Sequence, residues 1–206
     1  PTAPLDGLLA SWGVTMSYDK ILIDNTYASP EHGPTTLTLP RQAMATNDVS
    51  TWKLDAVTVS SSGTLTRTEK SQTRFTPLLH SSRQSALVAP HTPDTDIVPG
   101  EERHVIAARV EGPAYSAFPD GVGKRSRGLQ QSAGIHVVIV ADTDLLGEHL
   151  DSPGLNNNSL FVLNTLDNLA ASEALADIRP AAMAGPALQV LESLRQTADQ
   201  TFQTQA

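Results

Sequence analysis

The sequence predicts an α/β fold, with a mixed and partly parallel sheet flanked by helices. Three observations point there. Ile135-His136-Val137-Val138-Ile139-Val140 is a near-continuous apolar run of strand length, the pattern of a strand buried on both faces of a parallel sheet. Residues 158–170 and 186–204 carry leucines at helical spacing. Between the N-terminus and residue 135, short β-like runs alternate with breaks rich in Pro, Gly and Ser.

Leu5, Leu8, Leu9 and Trp12 share one helical face, with Gly13 as the stop. Tyr18 to Asp24 alternates through Ile21 and Ile23 and reads as a strand. Asn, Ser, Pro and Gly over residues 25–36 mark a loop. Strand-like runs follow at 56–60, 85–89 and 104–110, and the proline-rich stretch 90–102 reads as an exposed connection. Residues 112–132, with Pro113, Pro119, Gly121, Gly123 and the basic group Lys124-Arg125-Ser126-Arg127, read as a long loop whose charges stay solvated. After the apolar run, Ala141-Asp142-Thr143-Asp144 ends the strand and Leu145-Leu146 opens a short helix. Asn158 to Ala170 is an amphipathic helix, and a last helix over 186–204 follows a break at Ile178-Arg179-Pro180. The sheet this implies is flavodoxin-like or amidotransferase-like. Residues 1–180 are expected to form the α/β domain, with 181–206 as a C-terminal amphipathic helix.

Composition bounds the function. Of 206 residues, 39% are hydrophobic and 17% charged, so a folded protein is expected. A net charge of −8 argues against nucleic-acid binding, which needs a basic face. The chain has no cysteine, which removes disulfides, thiolate metal sites and cysteine nucleophiles together. No apolar run approaches the ~20 residues of a membrane helix. The chain opens Pro1-Thr2-Ala3-Pro4 without a signal-peptide core, and a segment of a longer protein is the expectation.

Templates for catalysis fail on residue identity. Gly123-Lys124 suggests a phosphate loop, but Phe118 stands where the first glycine belongs and Arg125 replaces the Ser or Thr that would hold Mg²⁺. No Gly-x-Ser-x-Gly elbow exists, so Ser60-Ser61-Ser62 and Ser81-Ser82 read as turn and surface hydroxyls. The six histidines are scattered, which does not suit zinc. One constellation merits a test: Asp142, Asp144, Glu148 and His149. At the carboxyl end of a buried parallel strand, where ligands usually bind, such carboxylates could hold Ca²⁺ or Mg²⁺. Equally, Asp142 or Thr143 could cap the next helix by accepting its free N–H groups. Asn158 or Ser159 likewise reads as a helix cap. No motif implies a cofactor.

Several phrases taken in order resemble the ABC-type uncharacterised transport system auxiliary family, that of the gliding-motility-associated auxiliary protein. They are Leu8-Leu9-Ala10-Ser11-Trp12-Gly13-Val14, residues 75–82, Ile106 to Pro113, Ala117 to Gly121, Ala141 to Asp144, Asn158 to Leu169 and Ile178-Arg179-Pro180. One departure is Asn168, where the family more often has Trp. The resemblance implies an extracytoplasmic (periplasmic) α/β domain, anchored to the membrane through parts outside this chain. It also implies sheet strands upstream of the Trp-Gly-Val phrase that this chain lacks. Its implied partners are an ABC-2-type permease and a separate ATPase, with a polymeric or glycan cargo. On this reading the chain is a non-enzymatic recognition or assembly module. A cation-dependent glycan-binding module or metal-dependent enzyme built on Asp142 and Asp144 is the alternative, and homo-oligomerisation through the 186–204 helix stays open.

Overall fold

The computed structural model describes residues 5–69, 71–90, 92, 97–121, 128–147 and 157–170. The chain divides into two compact units, Pro1–Leu169 and Ala170–Ala206, and the architecture below is that of the first. It opens with α1 (Asp6–Ser11), which buries Leu9. The helix stops where Gly13 turns to φ +76° and donates its N–H to Ala10 O at 3.0 Å. Glycine is needed there for a second reason: a Cβ would stand 1.9 Å from Ser71 Oγ.

Among the described residues ten strands follow: β1 (Val14–Met16), β2 (Ile21–Asp24), β3 (Ala28–Ser29), β4 (Gly33–Pro40), β5 (Ala56–Ser60), β6 (Leu65–Arg67), β7 (Arg74–His80), β8 (Ser85–Val88), β9 (Val105–Tyr115) and β10 (Gln131–Val140). The helix α2 (Asn158–Ala170) comes last among the described elements. One sheet runs β1-β6-β9-β10 with β7 also on β9; β2-β8 and β3-β4-β5 form two smaller sheets. Every pair among the described strands is antiparallel.

That overturns the expected mixed, partly parallel sheet of flavodoxin-like or amidotransferase-like type. A parallel pair needs a crossover of a dozen or more residues, usually a helix. Here the α-helices flank the strands in sequence, and only 3₁₀ turns (Arg41–Ala43, Val49–Thr51, Asp144–Leu146) interrupt the described residues between them. The apolar run misled because burial on two faces does not require parallel neighbours. In β10, Ile135, Val137 and Ile139 pack with Leu9, Val14, Leu65, Ala108 and Val110. The alternate residues Val138 and Val140 pack on the other face against a core that includes Leu78, Leu79, Ile106 and Phe161. Two cores, one on each face of the β9–β10 pair, produce the same continuous hydrophobicity.

Local expectations fare better than topology. The helices at 4–12 and 158–170 appear as α1 and α2, and the runs at 56–60 and 85–89 as β5 and β8. The expected loop at 25–36 instead holds β3 and the start of β4, while β9 and β10 extend into the expected loop 112–132. Residues 186–204 lie outside the described residues. Phe161, 1% exposed, fastens α2 to the larger core; burying such a ring contributes about 1.5–3 kcal/mol.

Candidate functional site

Asp142 lies two residues beyond Val140, the last residue of β10, so its position just past a strand end is as expected. The strand is an antiparallel edge, however, and the ligand-binding argument for parallel sheets lapses. Asp142 Oδ1 accepts the N–H groups of Asp144 at 2.6 Å and Leu145 at 3.0 Å. Its Oδ2 accepts the N–H of Ser60 in β5 at 2.7 Å. The carboxylate therefore caps the 3₁₀ turn and ties it to a neighbouring strand. Burial raises the Asp142 carboxyl above the ordinary value; the three N–H groups oppose this, the Asp144 charge adds to it, and the net direction is up. Glu148 and His149 lie outside the described residues. Among the described residues, no group of three or more His, Asp or Glu side chains could hold a metal ion.

The same edge of β5 receives two asparagines. Asn158 Oδ1 accepts the Thr58 N–H at 2.8 Å, and its Nδ2 donates to Thr58 O at 2.8 Å and Leu145 O at 2.9 Å. One amide side chain thus reproduces both bonds that a paired strand would make. Asn157 Oδ1 accepts the Asp55 N–H at 2.7 Å, and its own N–H donates to Ala56 O at 2.8 Å. Asn158 is the first residue of α2 and 1% exposed, and the bonds above place its amide in the sheet edge.

A second polar centre was not singled out from the sequence. Arg109 in β9 is 6% exposed and grips Asp48 through two parallel bonds, Nε to Oδ2 and Nη2 to Oδ1, both 2.8 Å. Nη2 also donates to Ser50 Oγ at 2.9 Å and Nη1 to Asn168 Oδ1 at 2.7 Å, while Nη1 touches His136 Nε2. Burial raises the Asp48 carboxyl, but the Arg109 and Ser50 hydrogen bonds and the guanidinium charge outweigh it, so the net direction is down. His136 Nε2 lies 3.5 Å from Glu111 Oε1, and Glu111 Oε2 accepts from Arg74 at 2.6 Å. The available signal was a charge at an inward position of an apolar strand, Ile106-Ala107-Ala108-Arg109-Val110. Asn168, at the departure from the family pattern, supplies the acceptor that joins α2 to this centre.

The serine stretches follow from the ends of β5 and β7 into turns, but several are not surface groups: Ser62 and Ser81 are fully buried, and Ser82 is buried as well. Ser82 donates Oγ to Asp24 Oδ1 at 2.7 Å and its N–H to Oδ2 at 2.6 Å. Asp24, itself fully buried, also accepts the N–H groups of Thr26 and Tyr27 at 2.8 and 3.2 Å. The serine at this carboxylate is thus bonded to the acid and not to an imidazole, the reverse of a nucleophile–base pair. Burial lowers the nearby His104, with Glu102 and Asp24 opposing.

These centres define an antiparallel β-module whose buried ionic and amide groups are spent on holding its own backbone. Residues 2–168 match the model of the family described as ABC-type uncharacterized transport system, and the chain belongs to that family. Its members are auxiliary components of ABC-type transport systems. The comparisons with curated proteins and with solved structures return no match.

Proposed function

We propose that this module is a non-enzymatic recognition or assembly component of a bacterial ABC-2-type transport system, working at the extracytoplasmic face. Family membership over residues 2–168 carries the reading. The commitment of Asp142, Asp48 and Asp24 to backbone, serine and arginine donors supports the non-enzymatic part, because a general base or metal ligand needs a free lone pair aimed at its target. Three N–H groups already occupy the Asp142 oxygens, so the geometry does not favour a cation-dependent glycan or enzyme site there. Among the described residues no helix is long and apolar enough to cross a membrane; contact with the permease, or with a polymeric cargo, is assigned to the outward surfaces of the module. The test is isolation of the tagged full-length protein from membranes. Stoichiometric recovery of a permease and an ATPase supports the reading, and their absence together with substrate turnover contradicts it.

A further inference from the structure

A protein that exposes a long uncharged strand edge offers it for pairing, since most edges are blunted by charge, proline, bulges or cover. This chain treats its edges unequally. The β5 edge is closed by Asp142, Asn157 and Asn158. The outer side of β7 carries Pro77, an Ala45 N–H to Leu78 O bond and a bridge from Met44 to Leu79. β10, the terminal strand of its sheet, pairs with β9 alone among the described strands. From Ile135 to Val140 it contains no proline and no Asp, Glu, Lys or Arg, and its irregularity lies before Ile135.

The register says which groups are on offer. Ala141 donates its N–H to Ile106 O at 2.9 Å, so strand alternation turns the N–H and C=O of His136, Val138 and Val140 away from β9. A strand added there meets a different apolar core on each face, because Ile135, Val137 and Ile139 pack on one and Val138 and Val140 on the other while remaining half-buried. The occupant must therefore be uncharged and apolar on both faces. β10 of a second copy has that character, and an antiparallel pairing of identical edges is self-complementary. With His136 the one titratable group in β10, no like carboxylates or ammonium groups are brought opposite each other.

We propose that two copies of this chain pair antiparallel through the outer edge of β10, continuing the sheet as β7-β9-β10-β10-β9-β7. A single strand pair buries less than the roughly 1,200 Å² of a standard stable interface, so the dimer is weak and concentration-dependent. Each copy carries a net charge of −8, so added salt strengthens it by screening the repulsion.

The absence of native cysteine makes the test clean. In the 206-residue chain, single cysteines are introduced as Val137→Cys, Val138→Cys and Ile139→Cys, with the exposed Thr68→Cys as control, and mild oxidation follows. Cross-linked dimer several-fold above the control at one or more of the three positions is expected, as is concentration-dependent protection of residues 131–140 in hydrogen exchange. Val138→Pro, whose missing N–H faces away from β9, should give a folded monomer. If that variant does not fold, the cysteine scan and the exchange data decide. A chain that sediments as a monomer at the highest attainable concentration overturns the proposal. So does a dimer whose β10 is unprotected, or one that survives Val138→Pro, and either result places self-association elsewhere.

Discussion

Replacing Arg109 with methionine keeps an unbranched apolar stem and removes every polar contact that the guanidinium makes at the second centre. Asp48 is left with a single N–H donor, from Ser50 at 2.8 Å, in a setting where its side chain is 11% exposed. Ser50 Oγ and Asn168 Oδ1 lose their donor as well. Breaking a buried pair from one side costs about 3–5 kcal/mol, because the remaining charge is uncompensated. For a chain of this size each kcal/mol moves Tm by roughly 2–4 °C, so a fall of roughly 6–20 °C is expected in circular-dichroism melts. The pH dependence gives an independent sign. Asp48 is lowered in the folded state, so its stabilising contribution is present above the ordinary carboxyl value of about 3.9 and lost as pH falls through the lowered folded value. In Arg109→Met that acid loss disappears, and acidification toward the ordinary carboxyl value should now relieve part of the defect, because burial without the guanidinium favours the neutral Asp48. Asp48→Leu combined with Arg109→Met should recover much of the loss, since apolar replacement of a buried pair is often neutral. A cost below about 1 kcal/mol for Arg109→Met, against the 3–5 expected for a broken buried pair, would refute the assignment of Arg109 as the joint between β9, α2 and the 48–51 turn.

Three other outcomes follow from the same reasoning. Asn158→Ala strips the Thr58 N–H and C=O of their partner and should cost about 2–4 kcal/mol in urea unfolding, at about 1–3 kcal/mol per buried polar group left unpaired; a loss under about 0.5 kcal/mol, within the range of neutral surface changes, would contradict the edge-closing role. Asp142 is raised in the folded state, so it favours folding below about pH 4 and that advantage fades as pH rises through its raised value; Asp142→Asn should flatten the melting profile on the acid side of neutrality, and Ca²⁺, Mg²⁺ or EDTA should leave wild-type Tm unchanged. Gly13→Ala meets the Ser71 side chain and an unfavourable positive φ, and should destabilise by about 1–2 kcal/mol from backbone handedness alone, a part that remains in urea unfolding after Ser71→Gly removes the side-chain clash.

Helix positions were legible because their signals are local. Leu8, Leu9 and Trp12 before Gly13 mark α1, and the spacing of Leu160, Phe161 and Asn164 marks α2. Strand pairing is not local. Ile135 to Val140 shows that both faces of the strand meet apolar groups, but not that one face meets α1 and β1 while the other meets β4, β5 and α2. β4 was hidden by Gly33 and Pro34 at its start, and β7 by Pro77, which an edge tolerates because the missing N–H can face outward. The capping of a turn by Asp142 was legible from residue type. Its bond to Ser60, 82 residues away, and the strand-like bonds of Asn158 to Thr58, 100 residues away, depend on tertiary contact. Arg109 could have been found as a charge among Ile106, Ala108 and Val110, while Asp48 gives no sign of its partner.

In the proposed function this module acts through contact within an ABC transport system and not through metal chemistry or turnover. Binding of the purified, folded chain to the proposed permease partner in detergent, measured by interferometry with and without EDTA, is the decisive measurement. Saturable binding unaffected by EDTA and retained in Asp142→Asn is the predicted result. No binding at any attainable concentration, or binding abolished by EDTA and restored by Ca²⁺, would contradict it.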